Sequence, residues 1–298
     1  MSAATSKLVK KAGSLYQWVS GHASLELKQG GKAITEVTRG QRIYFAAVGL
    51  LALWVGIWGY FIPGRVDQAI PWLVPPLHAR FLGAMYFSAT TFNVGSILAR
   101  YYVEVRIVVR MIAILTGMLF VISLFYLGEY DYTRKPVWIW FGSYLIIPLV
   151  GIWLMWRDRT SHEKITGPDL PTWVQNYLLA QGIVTTALSL SLLLVPEFMV
   201  NVWPWKITRV LAQIYSAPFL SYGLSSLMLS RQQTWPEVRV VLMAAFVFAF
   251  GVLLASFIHR ELFSFTHLAT GLWFGAFSLA TVMLGLLSAH SIRAGGTT

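Results

Sequence analysis

The segment HARFLGAMY, residues 78–86, decides the interpretation of this chain, because its pattern returns as RVLAQIY at residues 209–215. In both segments an arginine opens an apolar helix, a tyrosine follows six residues later, and a loop rich in proline and tryptophan comes just before. Two tripeptides recur in the same order: Glu-Val-Arg at 104–106 and 237–239, and Trp-Phe-Gly at 140–142 and 273–275. The sequence therefore predicts a duplicated unit.

The composition is typical of a membrane protein. Hydrophobic residues make up 56% of the 298 residues and charged residues 12%, with a mean hydropathy of +0.62, whereas soluble proteins have roughly 25% charged residues. The net charge of +11 fits the excess of lysine and arginine in cytoplasmic loops, so we expect no nucleic-acid partner. The chain has no cysteine, which excludes disulfides, thiolate metal sites and cysteine nucleophiles.

Eight apolar runs each have the roughly 20 residues that a helix needs to cross a bilayer. They lie at residues 43–62, 81–98, 107–127, 137–156, 174–195, 210–229, 240–258 and 265–288. Strands of a membrane β-barrel would instead alternate between polar and apolar residues. The predicted fold class is all-α: a polytopic integral membrane protein whose eight helices form two parallel four-helix repeats.

The same pattern divides the chain. We predict a basic N-terminal segment (1–42), a first repeat (43–156), a charged linker (157–173), a second repeat (174–290) and a C-terminal tail (291–298). Apolar residues between Leu8 and Val19 recur at helical spacing, which fits an amphipathic helix on an anionic membrane surface, and a partly ordered tail is the alternative. No small-residue cleavage site follows the first apolar run, so we expect no signal peptide.

The distribution of basic residues predicts the orientation. With the N-terminus inside, sixteen lysines and arginines fall on the cytoplasmic side and seven outside. Cytoplasmic loops hold the excess in membrane proteins. We therefore expect both termini in the cytoplasm, a location in the plasma (inner) membrane, and two repeats related by an axis along the membrane normal.

The predicted outer ends of the helices hold the candidate ligand-binding residues. Arg80 and Arg209 occupy first helical turns, where the helix dipole disfavours a cation. One interpretation is a shared outer pocket between the repeats, in which the arginines hold an anionic group. The alternative is that each arginine reaches lipid phosphate or pairs with an outer acid. The other residues of this predicted pocket are Tyr86, Tyr215, Gln213, Trp72 and Trp203.

Three histidines, His78, His259 and His267, also fall near the predicted outer surface. Histidine is the axial ligand for haem in many helical bundles, so these residues are candidate cofactor ligands, although a histidine at a helix end can equally be an interfacial hydrogen-bonding group. The sequence requires no cofactor and contains none of the common catalytic or phosphate-binding motifs. It also has no acid or base at the centre of a predicted span, as coupled transporters usually do.

The chain resembles the small bacterial four-helix membrane proteins of the DoxX-like kind. In that arrangement the first helix ends in a proline-containing loop and the second opens with arginine followed by small and aromatic residues. FIPG (61–64) with ARFLGAMY (79–86), and VPEF (195–198) with RVLAQIY (209–215), carry the resemblance in the two halves. Most such families are uncharacterised, so the resemblance implies a fold and no activity.

These observations predict a non-catalytic membrane protein that serves as an accessory or scaffold subunit of a membrane assembly. The bilayer and other membrane proteins are then its partners. The alternative function is the binding or transport of a lipophilic anion, lipid, quinone or pigment in the outer pocket. Apolar helix surface that faces lipid looks the same as surface that faces another subunit, so periodicity does not choose between the two.

Overall fold

The computed structural model describes residues 35–158 and 165–294. Within them the chain forms nine α-helices: α1 Arg39–Phe61, α2 Pro76–Leu98, α3 Arg106–Phe125, α4 Lys135–Arg157, α5 Thr172–Leu194, α6 Pro196–Val202, α7 Arg209–Leu229, α8 Arg239–Ile258 and α9 Leu268–Ala294. We call α1 to α4 the first unit and α5 to α9 the second unit. No strand occurs in the described residues beyond two isolated bridges, which pair Glu36 with Tyr101 and Asp169 with Thr234.

Seven of the described helices are long and apolar enough to cross a membrane, which agrees with the predicted helical membrane protein. The remaining long helix is α7, which coincides with the predicted span 210–229 and is not among the seven. Its sequence includes four serines and two tyrosines on its buried side, which lower its hydropathy.

The helix boundaries differ from the predicted ones at several ends. Helix α1 begins at Arg39, inside the predicted N-terminal segment, because Thr38 and Gln41 form a capping box. Helix α2 begins at Pro76 and not at 81, since proline suits a first helical position. Helix α9 continues to Ala294, into the predicted tail. The predicted amphipathic helix near residues 8–19 lies outside the described residues.

Within each unit the long helices pack as adjacent pairs: α1 with α2, α3 with α4, α5 with α7, and α8 with α9. Glycine permits the closest of these approaches. A Cβ atom added to Gly83 in α2 would lie 2.6 Å from the backbone nitrogen of Tyr60 in α1. One added to Gly182 in α5 would lie 2.8 Å from the backbone nitrogen of Leu227 in α7. Small residues at such crossings let membrane helices associate by close packing.

The two units contact each other through two pairs of helices. Helix α2 of the first unit packs on α8 of the second, and α3 of the first packs on α7 of the second. A Cβ atom at Gly251 in α8 would lie 2.8 Å from that of Ala84 in α2. The helices α2, α3, α7 and α8 therefore join the units, while α1, α4, α5 and α9 each pack mainly on one helix of that group.

Candidate functional site

An apolar groove of about 460 Å³ lies between α1 and α4. Its lining residues are Tyr44, Ala47, Val48 and Leu51 from α1, and Trp138, Ile139, Gly142, Ser143, Ile146, Ile147 and Val150 from α4. Gly142 leaves room in the groove, because a Cβ atom added there would meet no atom within 4 Å. Both helices that form the groove are candidate membrane spans.

Polar contacts hold α1 and α4 at a set spacing beside the groove. The Gln41 side-chain amide donates a hydrogen bond to a carboxylate oxygen of Asp158 at 2.9 Å. The Tyr44 hydroxyl, which lines the groove, donates to the backbone carbonyl of Ile147 at 3.1 Å. Gln41 is fully buried, so this contact joins the start of α1 to the end of α4 away from solvent.

A small cavity of about 40 Å³ adjoins the groove. The groove and the cavity share the lining residues Val48, Leu51, Ser143 and Ile147. The cavity also reaches Tyr86 of α2 and Tyr144 of α4, whose hydroxyls are hydrogen-bonded to each other. We call these two residues the tyrosine pair.

The tyrosine pair has one hydroxyl proton more than its internal hydrogen bond uses. Two hydroxyls carry two protons, and the bond between them consumes one. Among the described residues neither hydroxyl has a further hydrogen-bond partner. The nearby Thr116 hydroxyl is engaged, because it donates to the carbonyl of Ile112 at 2.7 Å. One hydroxyl proton of the pair is therefore left over, beside the cavity that both residues line.

Aromatic side chains pack on Tyr144 of the tyrosine pair in tilted and edge-to-face contacts, and we call Trp72, Trp140 and Tyr144 the first aromatic cluster. The rings of Trp140 and Tyr144 are 4.2 Å apart, and those of Trp72 and Trp140 are 5.1 Å apart. The Trp140 indole donates to the hydroxyl of Ser123 at 2.9 Å. Trp72, predicted as a ligand-binding residue, thus packs on Trp140 from the loop between α1 and α2.

The second unit has a similar aromatic cluster with different polar contacts. Trp205 packs on Trp273 at 4.7 Å, and Trp273 on Phe277 at 4.3 Å. Phe277 stands 133 residues after Tyr144 and has no hydroxyl. Tyr215, the counterpart of Tyr86, is bonded to Nδ1 of His78 at 2.5 Å. The hydrogen-bond partner of the Tyr215 hydroxyl is therefore a residue of the first unit.

The ten residues singled out from the sequence fall into separate sets of contacts. Trp72 belongs to the first aromatic cluster, and Tyr86 is bonded to Tyr144 of that cluster through its hydroxyl. His78, Trp203 and Tyr215 meet at the second. Arg80 places Nη1 2.5 Å from Nε2 of His259. Arg209 pairs with Glu197 at 3.2 Å on the exposed surface, Gln213 accepts a hydrogen bond from Tyr126, and His267 is exposed.

None of these contacts connects one of the three histidines to another. His78 is bonded to Tyr215, His259 contacts Arg80 and Glu261, and neither contact involves His267. Between residues 35 and 158 and between 165 and 294, no three histidine or acidic side chains gather to hold a metal ion.

A polar cluster that was not predicted from the sequence lies at the starts of α3 and α8. Arg106 pairs with Glu237 at 2.7 Å, and Arg239 pairs with Glu104 at 2.5 Å. Both carboxylates are buried. We call these four residues the Glu-Val-Arg cluster. The repeated tripeptide contained a signal for it, since a glutamate and an arginine two residues apart mark each helix start.

Tyr102 lies beside the Glu-Val-Arg cluster, in the 3₁₀ turn Tyr102–Glu104 that precedes α3. Burial raises the pKa of its hydroxyl to about 12, and the negative charge of Asp158 contributes in the same direction. The hydroxyl therefore stays protonated at neutral pH, and Tyr102 adds no charge to the cluster.

Comparison with known proteins finds no match: no protein-family model, no curated protein and no solved structure is similar to this chain.

Proposed function

We propose that this protein is a non-catalytic membrane protein that binds a lipophilic molecule taken from the bilayer. The observation that carries the proposal is the groove between α1 and α4, with its volume of about 460 Å³. Ligand sites for small molecules usually span roughly 300–1,000 Å³ and are lined mainly by apolar side chains. The proposed site differs from the outer pocket between the repeats that the sequence indicated, because it lies within the first unit.

The lining chemistry supports a ligand that is mostly hydrocarbon. Aliphatic side chains such as Leu51, Ile146 and Val150 form much of the groove wall, and no lining residue is charged. The Tyr44 hydroxyl is engaged with the carbonyl of Ile147. An isolated anion in this wall would lack a counter-charge, so the lipophilic anion considered from the sequence fits this groove less well than a neutral molecule.

We further propose that α7 is an eighth span and that the two units arose by duplication, with both termini in the cytoplasm of a bacterial cell. Helix α7 packs against α5 and α3, both of which are candidate spans. Fourteen of its 21 residues are buried. A helix surrounded by protein needs less apolar character than one that faces lipid, because its polar side chains bond within the bundle.

A second candidate function is the accessory or scaffold subunit predicted from composition, and one feature of α9 favours it. Its exposed face presents Leu268, Leu272, Leu279, Val282 and Leu286. With Gly275 between Leu272 and Leu279, the spacing alternates between four and three residues, as in the contact stripe of paired helices. A Cβ atom at Gly275 would meet nothing within 4 Å, so this face is free to receive a partner helix.

One experiment separates the two candidates, because each has a glycine at its centre. Gly142→Leu adds a side chain into the groove, and Gly275→Leu adds one to the α9 stripe 133 residues later. The wild type and both variants would be purified gently from native membranes. Bound lipophilic molecules would be quantified by mass spectrometry, and bound proteins identified in the same samples.

We expect about one tightly held lipophilic molecule per chain in the wild type and in Gly275→Leu, and its loss in Gly142→Leu. Equal amounts in all three proteins would refute the groove as the site. A stoichiometric protein partner that is lost only in Gly275→Leu would favour the accessory subunit. Each variant serves as the control for the other, since both introduce leucine at an open helix position.

A further inference from the structure

We infer that the molecule held in the groove is a neutral lipid whose head carries a carbonyl group, and that this carbonyl accepts the spare hydroxyl proton of the tyrosine pair. Lipid-soluble quinones have this chemistry. The inference rests on the proposed function and adds the class of ligand. It concerns binding alone, with no transfer of electrons.

The first argument is the spare donor itself. Tyr86 and Tyr144 are both buried, and their mutual hydrogen bond leaves one O–H without an acceptor among the described residues. Burying a hydroxyl without a hydrogen bond costs roughly 1–3 kcal/mol in proteins. A carbonyl oxygen removes that cost, since it accepts and has no proton of its own to place.

The second argument is depth in the membrane. Helices α2 and α4 each have 23 residues, which corresponds to about 34 Å of helix. Tyr86 and Tyr144 both lie close to the middle of their helices, and therefore near the centre of a hydrocarbon layer about 30 Å thick. The ester carbonyls of phospholipids stay near the surface with their charged headgroups, whereas an uncharged head reaches this depth at little cost.

The third argument is the size and polarity of the cavity. Its volume of about 40 Å³ exceeds the roughly 10–15 Å³ that one water molecule requires, so it admits a carbonyl oxygen but not a whole ring. The ring and chain then occupy the adjoining groove. No lining residue of the cavity is charged, which disfavours a carboxylate or phosphate at the tyrosine pair.

The second unit provides an internal contrast. There Phe277 replaces the second tyrosine, and the hydroxyl of Tyr215 is bonded to the ring of His78. That arrangement pairs a single hydroxyl with a ring nitrogen, so the second unit lacks the two mutually bonded hydroxyls of the tyrosine pair. Among the residues that the structure describes, the first unit combines two facing tyrosines with a cavity that shares four lining residues with the groove.

The test compares two probes that share a geranyl chain: ubiquinone-2, whose ring has two carbonyls, and geranylbenzene, whose ring has none. Their binding to the full-length protein in lipid nanodiscs would be measured for the wild type, Gly142→Leu, the double variant Tyr86→Phe/Tyr144→Phe, and the control Tyr177→Phe. The double variant removes both hydroxyls together, which leaves no unpaired partner and is nearly neutral for folding. Its thermal unfolding would be recorded alongside.

We expect the double variant to bind ubiquinone-2 roughly 2- to 12-fold more weakly, as the loss of one net hydrogen bond implies, and to bind geranylbenzene as the wild type does. Tyr177→Phe should change neither affinity. An unchanged preference for ubiquinone-2 in the double variant would overturn the inference while the groove stands, and would assign the cavity to water. If Gly142→Leu still binds both probes, the proposed function itself fails.

Discussion

Arg106 in α3 forms an ion pair with Glu237 at 2.7 Å, while Glu104, two residues before Arg106, forms the reciprocal pair with Arg239. Each glutamate also accepts a backbone N–H from the start of its own turn, Tyr101 at 3.0 Å and Thr234 at 3.2 Å. The same surface thus appears on both sides of the contact, as in the isologous interface of a symmetric dimer. The exchange joins α3 of the first unit to the segment that precedes α8 of the second.

The Glu-Val-Arg cluster should dominate the stability of the contact between the units. Replacing Arg106 with methionine leaves the buried Glu237 carboxylate without its counter-charge, so we expect the free energy of unfolding to fall by roughly 3–5 kcal/mol. Arg239→Met should cost a similar amount through Glu104. Unfolding in detergent would be followed by circular dichroism, with Arg110→Met, an exposed arginine of the same helix, as the control. A loss no larger than that of the control would contradict the prediction.

The contacts between the two units also predict that the protein can assemble from two separate polypeptides. Residues 1–158 and 165–298, expressed together, should assemble and copurify, because α2 packs on α8 and α3 on α7 across the break. Either piece alone should be recovered poorly, since it exposes a buried glutamate and arginine. Affinity purification through a tag on one piece would test this. Independent accumulation of each piece with no copurification would show that the contact between the units is dispensable.

The proposed orientation is testable by cysteine labelling, because the chain has no cysteine of its own and each introduced thiol reports alone. Ala69→Cys, in the loop between α1 and α2, should react with an impermeant maleimide added to intact cells. Thr166→Cys, between the units, should react only after the membrane is permeabilised. The reverse pattern would place both termini outside and contradict the distribution of basic residues.

The hydrogen bond between Tyr215 and His78 should matter more for stability than the exposed pair of Arg209 with Glu197. Tyr215→Phe removes the partner of a buried ring nitrogen, so we expect a loss of roughly 1–3 kcal/mol. Arg209→Gln breaks a solvent-exposed pair and should cost about 1 kcal/mol or less. Thermal unfolding of both variants in the same detergent would compare them. Equal losses would mean that His78 finds another partner when Tyr215 is gone.

The sequence by itself determined the helical membrane class and the approximate position of each long helix. A continuous apolar run of about 20 residues can adopt few structures in a bilayer, because every backbone polar group must be hydrogen-bonded within its own segment. Local signals refined the ends: Thr38 and Gln41 form the cap that starts α1 at Arg39, and Pro76 opens α2. The polar residues of α7 could also be read from the sequence. The reason for them, the burial of this helix against α3 and α5, could not.

Only the tertiary structure decided which helices meet and therefore where a ligand can bind. The Tyr86 hydroxyl, for example, is bonded to that of Tyr144, 58 residues away and on another helix. Likewise, Arg106 bonds to Glu237 and not to Glu104, two residues before it. Such contacts depend on the rotation and depth of each helix against its neighbours. In an apolar chain, the rotation and depth of a helix depend on how its glycines and side chains fit against the neighbouring helix. Hydrophobic periodicity does not encode that fit.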